Sequence, residues 1–350
     1  MTTNDQAPDI KPAPGIIEKV KQIITPDNTS ESPAETQPQA AATHKFSRVH
    51  IIVNPASGQE GLHLPALNKV LNDLKIDWEM FVMRKGGEAR ERAKQAIEAK
   101  VDAIVVYGGD GTVLEVASSM SGSDIPLIII PGGTANVLSV ELGIPADQTQ
   151  AAMLLGGAPN AIRTLDMGVL EGGSRDGDSK GDLYFFHLGL GLEGMMHEKA
   201  NREAKDRGGM FAYVGAALST LSNPPVSHYR MTLDGETVEA DGINCMVTNF
   251  GSVGVQGITL SHAIDMSDGL LDVLVIQNAN IASILSAAAN VVASGELAQP
   301  LLQWQAREVS ITAEPKQPLV VDGELIEVDE IKVRIAPKHV RVVVPAPSNT

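Results

Sequence analysis

From Phe46 onward the chain alternates short apolar runs with stretches of helical spacing. The pattern predicts strands at Val49 to Val53, Trp78 to Met83 and Ala103 to Tyr107, with helices at Leu64 to Leu74 and Glu88 to Ala99 between them. A further helix, strand and helix follow through Gly143. The runs Ala103 to Tyr107 and Leu127 to Ile130 are rich in β-branched residues and lack polar alternation, as parallel strands buried on both faces do. This β-α-β-α rhythm implies an open parallel sheet covered by helices, with ligands beyond the carboxyl ends of the strands.

After about residue 160 the rhythm changes to strand-like pieces separated by turn signals. They are Arg163 to Leu170, Leu183 to Leu188, His228 to Leu233, Ile243 to Asn249, Leu271 to Gln277, Glu308 to Thr312, Pro318 to Val321, Lys332 to Ile335 and Val340 to Val344. One long helical stretch, Leu192 to Leu221, interrupts them, and Gly172 to Gly181 reads as a hairpin loop. The expected organisation is a disordered tail over 1–44, an α/β domain with an open parallel sheet over 45–160, and a mainly β domain over 161–346. The tail is dominated by Pro, Gln, Thr, Ala and Ser. Within it, Ile16 to Ile24 has amphipathic spacing, which leaves open both a short contact helix and plain tail.

Charge and cysteine content narrow the function classes. A net charge of −16 over 350 residues, with no basic stripe, argues against a nucleic-acid partner and against electrostatic tethering to anionic lipid. The single cysteine, Cys245, excludes a disulfide framework and a cysteine-rich metal site, and fits a cytoplasmic location. No stretch approaches the roughly 20 apolar residues of a membrane span, Ile281 to Ala293 reading as one amphipathic or buried helix. No secretory signal pattern is present.

Candidate chemistry gathers at two glycine turns that follow apolar runs, Gly108-Gly109-Asp110-Gly111-Thr112 and Pro131-Gly132-Gly133-Thr134-Ala135-Asn136. Glycine permits a tight turn and close approach to a ligand, and a helix opening beyond it favours an anion. Neither turn has the P-loop or dinucleotide spacing. Asn54-Pro55-Ala56-Ser57-Gly58 leaves the first strand at the same sheet end, where it is either a nucleotide contact or a plain strand-ending turn. Asp110 is either the N-cap of a helix beginning near Thr112 or a carboxylate placed beside phosphates to hold Mg²⁺. Asp-Gly-Glu occurs twice, at 234–236 and 322–324, and each copy reads locally as a hairpin turn.

These motifs also carry a resemblance. Asn54 to Gly58, Gly108 to Thr112 with Glu115, Pro131 to Asn136, Leu142 to Pro145, Leu165 to Gly168, Gly189 to Gly191, Asp268 to Asp272 and Asp322 to Glu324 occur in the order seen in diacylglycerol kinase-like lipid kinases. The chain resembles the bacterial soluble branch of that family from residue 47 to 345. Sphingosine kinases share the catalytic module, and NAD kinases are more distant relatives. The resemblance implies ATP bound between two domains, with Asn54, Pro55, Ala56, Ser57, Gly58, Gly108, Gly109, Asp110, Gly111, Thr112, Thr134 and Glu324 around it. It implies Asp322 as general base, and a structural Mg²⁺ on the Asp268 carboxylate and backbone carbonyls at about Asp265 and Leu270.

The acceptor so implied is a hydroxyl of a lipid such as diacylglycerol, met at or near a membrane surface, and a homodimer is left open. Leu114, Met83, His187 and Glu193 depart from the family's usual asparagine, threonine, asparagine and aspartate. Transfer to a sphingoid lipid or to NAD, and a non-catalytic nucleotide or lipid sensor, are the alternatives.

Overall fold

Uninterrupted apolar runs become the central strands of a parallel sheet in the computed structural model, which describes residues 43–58, 61–173, 183–192, 194–195, 225–251, 264–277 and 301–347. Strands β1 (Arg48–Val53), β2 (Asp77–Val82), β3 (Ala103–Gly108) and β4 (Leu127–Pro131) pair in parallel in the order β2-β1-β3-β4. Every residue of β3 and β4 is buried, as lateral pairing plus helices on both faces requires. The helices are α1 (Leu64–Asp73), α2 (Glu88–Glu98), α3 (Asp110–Ala117), α4 (Val137–Glu141) and α5 (Gln148–Ala152). Leu67, Val70 and Leu71 of α1 and Ala89, Ala93 and Ala96 of α2 point into the first core.

Beyond residue 160 the described residues form a β sandwich. Its strands are β5 (Asn160–Leu170), β6 (Leu183–Phe185), β7 (His187–Gly191), β8 (Ser227–Leu233), β9 (Glu236–Gly242), β10 (Asn244–Thr248), β11 (Leu271–Ile276), β12 (Leu301–Ala306), β13 (Glu308–Glu314), β14 (Leu319–Val321), β15 (Glu324–Ile326) and β16 (Ile331–Pro345). β12-β11-β10-β7-β14-β15 form an antiparallel six-stranded sheet. The path β4-β16-β13-β8-β9 extends the first sheet, with β16 parallel to β4 at Val342 and Leu127. A second core lies between the sheets, with Tyr229, Met231 and Ile311 facing Val247, Val273 and Val275.

Three expectations are corrected. Lys332–Ile335 and Val340–Val344 are one 15-residue strand, β16, carried through a bulge between Ala336 and Val340. Lys338 takes φ 53° there, and its N–H donates to the buried Asp166 carboxylate at 2.6 Å, so the chain kinks without ending the strand. Leu183–Leu188 is two strands, β6 and β7, broken at Phe186, which turns into the first core. β12 was not anticipated, although Leu302 and Trp304 alternate with Gln303 and Gln305 as a half-buried strand should. The helical reading of 192–221 beyond its first residues, the helix at 281–293, the tail over 1–42 and most of the 172–181 loop lie outside the described residues.

Asp166 ties these parts together. Its two carboxylate oxygens accept N–H groups from Lys338 (2.6 Å) and Gly269 (2.7 Å), its own N–H donates to Met266 O (2.7 Å), and its carbonyl accepts from the Asn249 amide (2.6 Å). Truncation orphans two part-buried backbone donors beside a carboxylate only 1% exposed. Asp166→Ala is expected to lower unfolding stability by about 2–5 kcal/mol, read from the denaturant midpoint, because each buried unpaired donor costs about 1–3 kcal/mol. An unchanged midpoint contradicts this.

Candidate nucleotide and phosphoryl-transfer site

The parallel register brings four loops to one rim. Val53 is level with Val82 and Tyr107, and Gly108 with Pro131. The ladder runs one residue further into each loop, through Met83 N–H to Val53 O (2.8 Å), Asn54 N–H to Tyr107 O (2.9 Å) and Gly132 N–H to Gly108 O (2.9 Å). Across the rim the loops therefore follow the order 83–87, 54–58, 108–112, 131–136.

Side chains lock the inner three loops. The Asn54 amide donates to Thr112 Oγ1 (2.8 Å) while its Oδ1 accepts the Ala56 N–H (3.0 Å). Ser57 Oγ accepts the Gly109 N–H (3.2 Å), and Ser57 O accepts the Tyr107 hydroxyl (3.0 Å). Asn136, at φ 48° and ψ 46°, clamps Gly133 in both directions, through Gly133 N–H to Oδ1 (2.8 Å) and its own amide to Gly133 O (2.7 Å). Asn54, Ser57 and Thr112, expected around a nucleotide, thus spend polar groups holding the loops together. Pro55, Ala56, Gly58, Gly111 and Thr134 are exposed at the surface of the assembly.

The glycines divide by what surrounds them. A Cβ on Gly133 would lie 2.6 Å from Gly109 Cα, and one on Gly108 would lie 2.6 Å from Thr112 Cβ. One on Gly132 would lie 2.7 Å from the Tyr107 ring, and one on Gly58 (φ 74°) 2.7 Å from Gly132 O. The two turns touch backbone to backbone, so these glycines answer to the protein's own packing. Among the described residues, Gly111 alone in the turns has no neighbour within 4 Å of a built Cβ, and its φ is not left-handed. The described residues give no reason for glycine there.

Asp110 is the first residue of α3, whose N-cap is Gly109, so the helix starts two residues before its expected position and Asp110 is not its cap. Its Oδ1 instead accepts the Leu138 N–H at 3.4 Å. Burial raises its carboxyl above the ordinary carboxylate range, against the opposing pull of backbone N–H groups at Leu138, Val137 and Asn136. Glu115, one and a half turns along α3, accepts the Gly87 N–H with Oε1 (3.1 Å), and its Oε2 is buried without a hydrogen-bond partner among the described residues. Met83 and Leu114, two of the departures from the family pattern, are buried in the first core.

The second-domain candidates lie on the β14–β15 hairpin. Asp322 (φ 45°) and Gly323 (φ 84°) form its two-residue turn, with both residues left-handed as a type I′ turn demands. Asp322 Oδ1 accepts the N–H groups of Phe186 (3.1 Å) and His187 (2.9 Å), and its own N–H donates to His187 O (2.9 Å). The other Asp-Gly turn has the same plan: Asp234 (φ 48°) takes Arg307 and Glu308 N–H groups at 2.9 and 2.8 Å, and its N–H donates to Glu308 O. Local geometry does not separate the copies; their neighbours do. Phe186, which holds Asp322, belongs to the first core with Val113 and Leu114 of α3, whereas the Asp234 turn joins β8 and β9 at the far end of the sheet. Glu324 is exposed.

The expected cation loop is already well bonded. Asp265 takes the Ser267 N–H and pairs with Arg163 at 3.6 Å, while Asp268 accepts from the Leu270 N–H (2.9 Å) and the Gln305 amide (3.2 Å). Beside them Asp272 is fully buried, with Gln303 donating to Oδ1 at 2.8 Å and Oδ2 lacking a hydrogen-bond partner among the described residues. Burial pushes its carboxyl up to about 6. Sequence reading quoted Asp272 only as part of a motif; its isolation depends on three-dimensional burial.

Residues 48–170 match the family model described as the diacylglycerol kinase catalytic domain, and residues 187–344 match the YegS C-terminal NAD kinase beta sandwich-like domain. An uncharacterised protein of Synechocystis sp. is 30% identical over 317 residues, spanning 85% of this chain and 70% of the relative. A protein named diacylglycerol kinase from Mycobacterium tuberculosis is 31% identical over 241 residues, spanning 67% of this chain and 75% of the relative. Among solved structures, a diacylglycerol kinase from Bacillus anthracis aligns with a TM-score of 0.61 at 22% identity, over 86% of this chain and 98% of that one, a likeness of fold.

Proposed function

The chain belongs to the diacylglycerol kinase-like family, and on that premise we propose that it is an ATP-dependent, Mg²⁺-requiring kinase transferring the γ-phosphoryl group to a lipid hydroxyl, with diacylglycerol as acceptor. The observation that carries this reading is the locked rim with Gly111 open at the first turn of α3. There the helix's unpaired N–H groups and dipole favour phosphate.

The polyphosphate lies over Gly109 to Thr112, with Asn54 to Gly58 and Thr134 beside it and Glu324 reaching the nucleotide from the second domain. Asp110 takes the metal that accompanies the nucleotide. When bound, Mg²⁺ supplies charge neutralisation at the phosphoryl oxygens. The Asp322 carboxylate accepts the lipid hydroxyl proton as that oxygen bonds to the γ-phosphorus and the bond to ADP breaks. An ATP-dependent kinase of this kind is proposed to work in the cytoplasm and to meet the membrane only peripherally. No helix among the described residues is long and apolar enough to cross a membrane.

The test is labelled ATP with diacylglycerol, monoacylglycerol, sphingosine, ceramide and NAD. Labelled lipid supports the proposal, and label only in NADP overturns the lipid acceptor. A second reading, nucleotide sensing without transfer, draws on the match between the Asp322 and Asp234 turns; ATP binding with no labelled product would establish it.

The 265–272 loop is proposed to hold the structural Mg²⁺. Asp272 Oδ2, which has no hydrogen-bond partner among the described residues and lies beside Asp268, supports it, because a hard cation satisfies such an oxygen. Thermal unfolding is expected to shift upward with Mg²⁺ relative to EDTA, by an amount equivalent to about 2.7 kcal/mol at a hundredfold excess over Kd, and Asp268→Asn should remove the shift. Equal midpoints with and without Mg²⁺ contradict the loop assignment.

A further inference from the structure

We propose that Arg84 and Lys85 grip the polyphosphate and set this site's preference for triphosphate over monophosphate nucleotides, an inference that rests on the nucleotide reading of the rim. A backbone cradle alone carries partial charges, and a triphosphate must approach a protein of net charge −16. The four rim loops 54–58, 83–87, 108–112 and 131–136 contain two cationic side chains, Arg84 and Lys85, and both are exposed.

Two acids bind this loop through its backbone. Glu88 Oε2 accepts the Arg84 backbone N–H at 2.7 Å, and Glu115 Oε1 accepts the Gly87 N–H. Among the described residues neither cationic side chain has an ion-pair or hydrogen-bond partner. The Gly87–Glu115 bond also fixes where the loop lies: beside α3, five residues or about 7.5 Å from Asp110. The loop that carries both cations is thereby held alongside the helix whose N-terminus faces the proposed phosphates.

The experiment measures ATP, ADP and AMP affinities of the full chain by calorimetry at low and high salt, for wild type, R84Q/K85Q and the charge-keeping R84K/K85R. The double neutral variant is expected to lose about tenfold in ATP affinity, less for ADP and nothing for AMP, with a weaker salt dependence. R84K/K85R should bind like wild type. If wild type binds no nucleotide, the rim reading itself fails. If wild type binds and R84Q/K85Q loses nothing, or loses equally for all three nucleotides, this inference fails. Loss of binding to anionic vesicles with nucleotide affinities intact would likewise overturn it, assigning the pair to the membrane.

Discussion

Asp322→Asn is expected to reduce lipid phosphorylation by about 10²–10⁴-fold while leaving the hairpin folded, and Asp234→Asn is expected to leave activity at the wild-type level. Both turns share left-handed φ, two accepted backbone N–H groups at Oδ1 and a return bond from the aspartate N–H. Asparagine tolerates that conformation and keeps an Oδ1 acceptor, so both variants retain the turn. What asparagine lacks is the capacity to take a proton. The paired design therefore isolates chemistry from architecture, read as turnover together with the unfolding midpoint. Equal losses in the two variants, or equal retention, would reduce Asp322 to a turn residue.

The second large effect concerns Gly111. Gly111→Ala is expected to weaken ATP binding about hundredfold, on the scale that small misplacements at a reacting site cost, with thermal stability unchanged or higher. A Cβ at this position meets no atom of the described residues within 4 Å, and alanine in a helix is favoured over glycine by about 1 kcal/mol. Gly133→Ala should behave oppositely, losing stability first, because its Cβ would lie 2.6 Å from Gly109 Cα. Calorimetric affinity beside a thermal melt distinguishes the two classes of glycine. Wild-type affinity in Gly111→Ala would mean that the phosphates do not pass over this turn.

The parallel strands were legible in the sequence because burial on both faces writes itself as continuous β-branched runs, and β3 and β4 lie where Ala103–Tyr107 and Leu127–Ile130 predicted. The glycine turns were legible as turns. Their contact with each other was not, because local pattern says nothing about what will sit against a given Cα. The same limit explains Asp110, whose carboxylate is used 28 residues away at Leu138. It also explains Asn54 and Ser57, whose polar groups cross-link loops more than 50 residues apart in sequence. β16 was divided because Pro337 and Lys338 carry a turn signature, while the bond that lets the strand continue comes from Asp166, 172 residues distant. Arg84 and Lys85 carry no motif, and only the sheet register and the Gly87–Glu115 bond bring them to the rim.

Transfer itself is tested most directly by incubating the full chain with diacylglycerol micelles, Mg²⁺ and ATP labelled at either the α or the γ phosphorus. Label in the lipid from γ-labelled ATP alone, with one ADP formed for each lipid labelled, is the expected result. Unlabelled lipid under both conditions, while the protein demonstrably binds ATP, would contradict it.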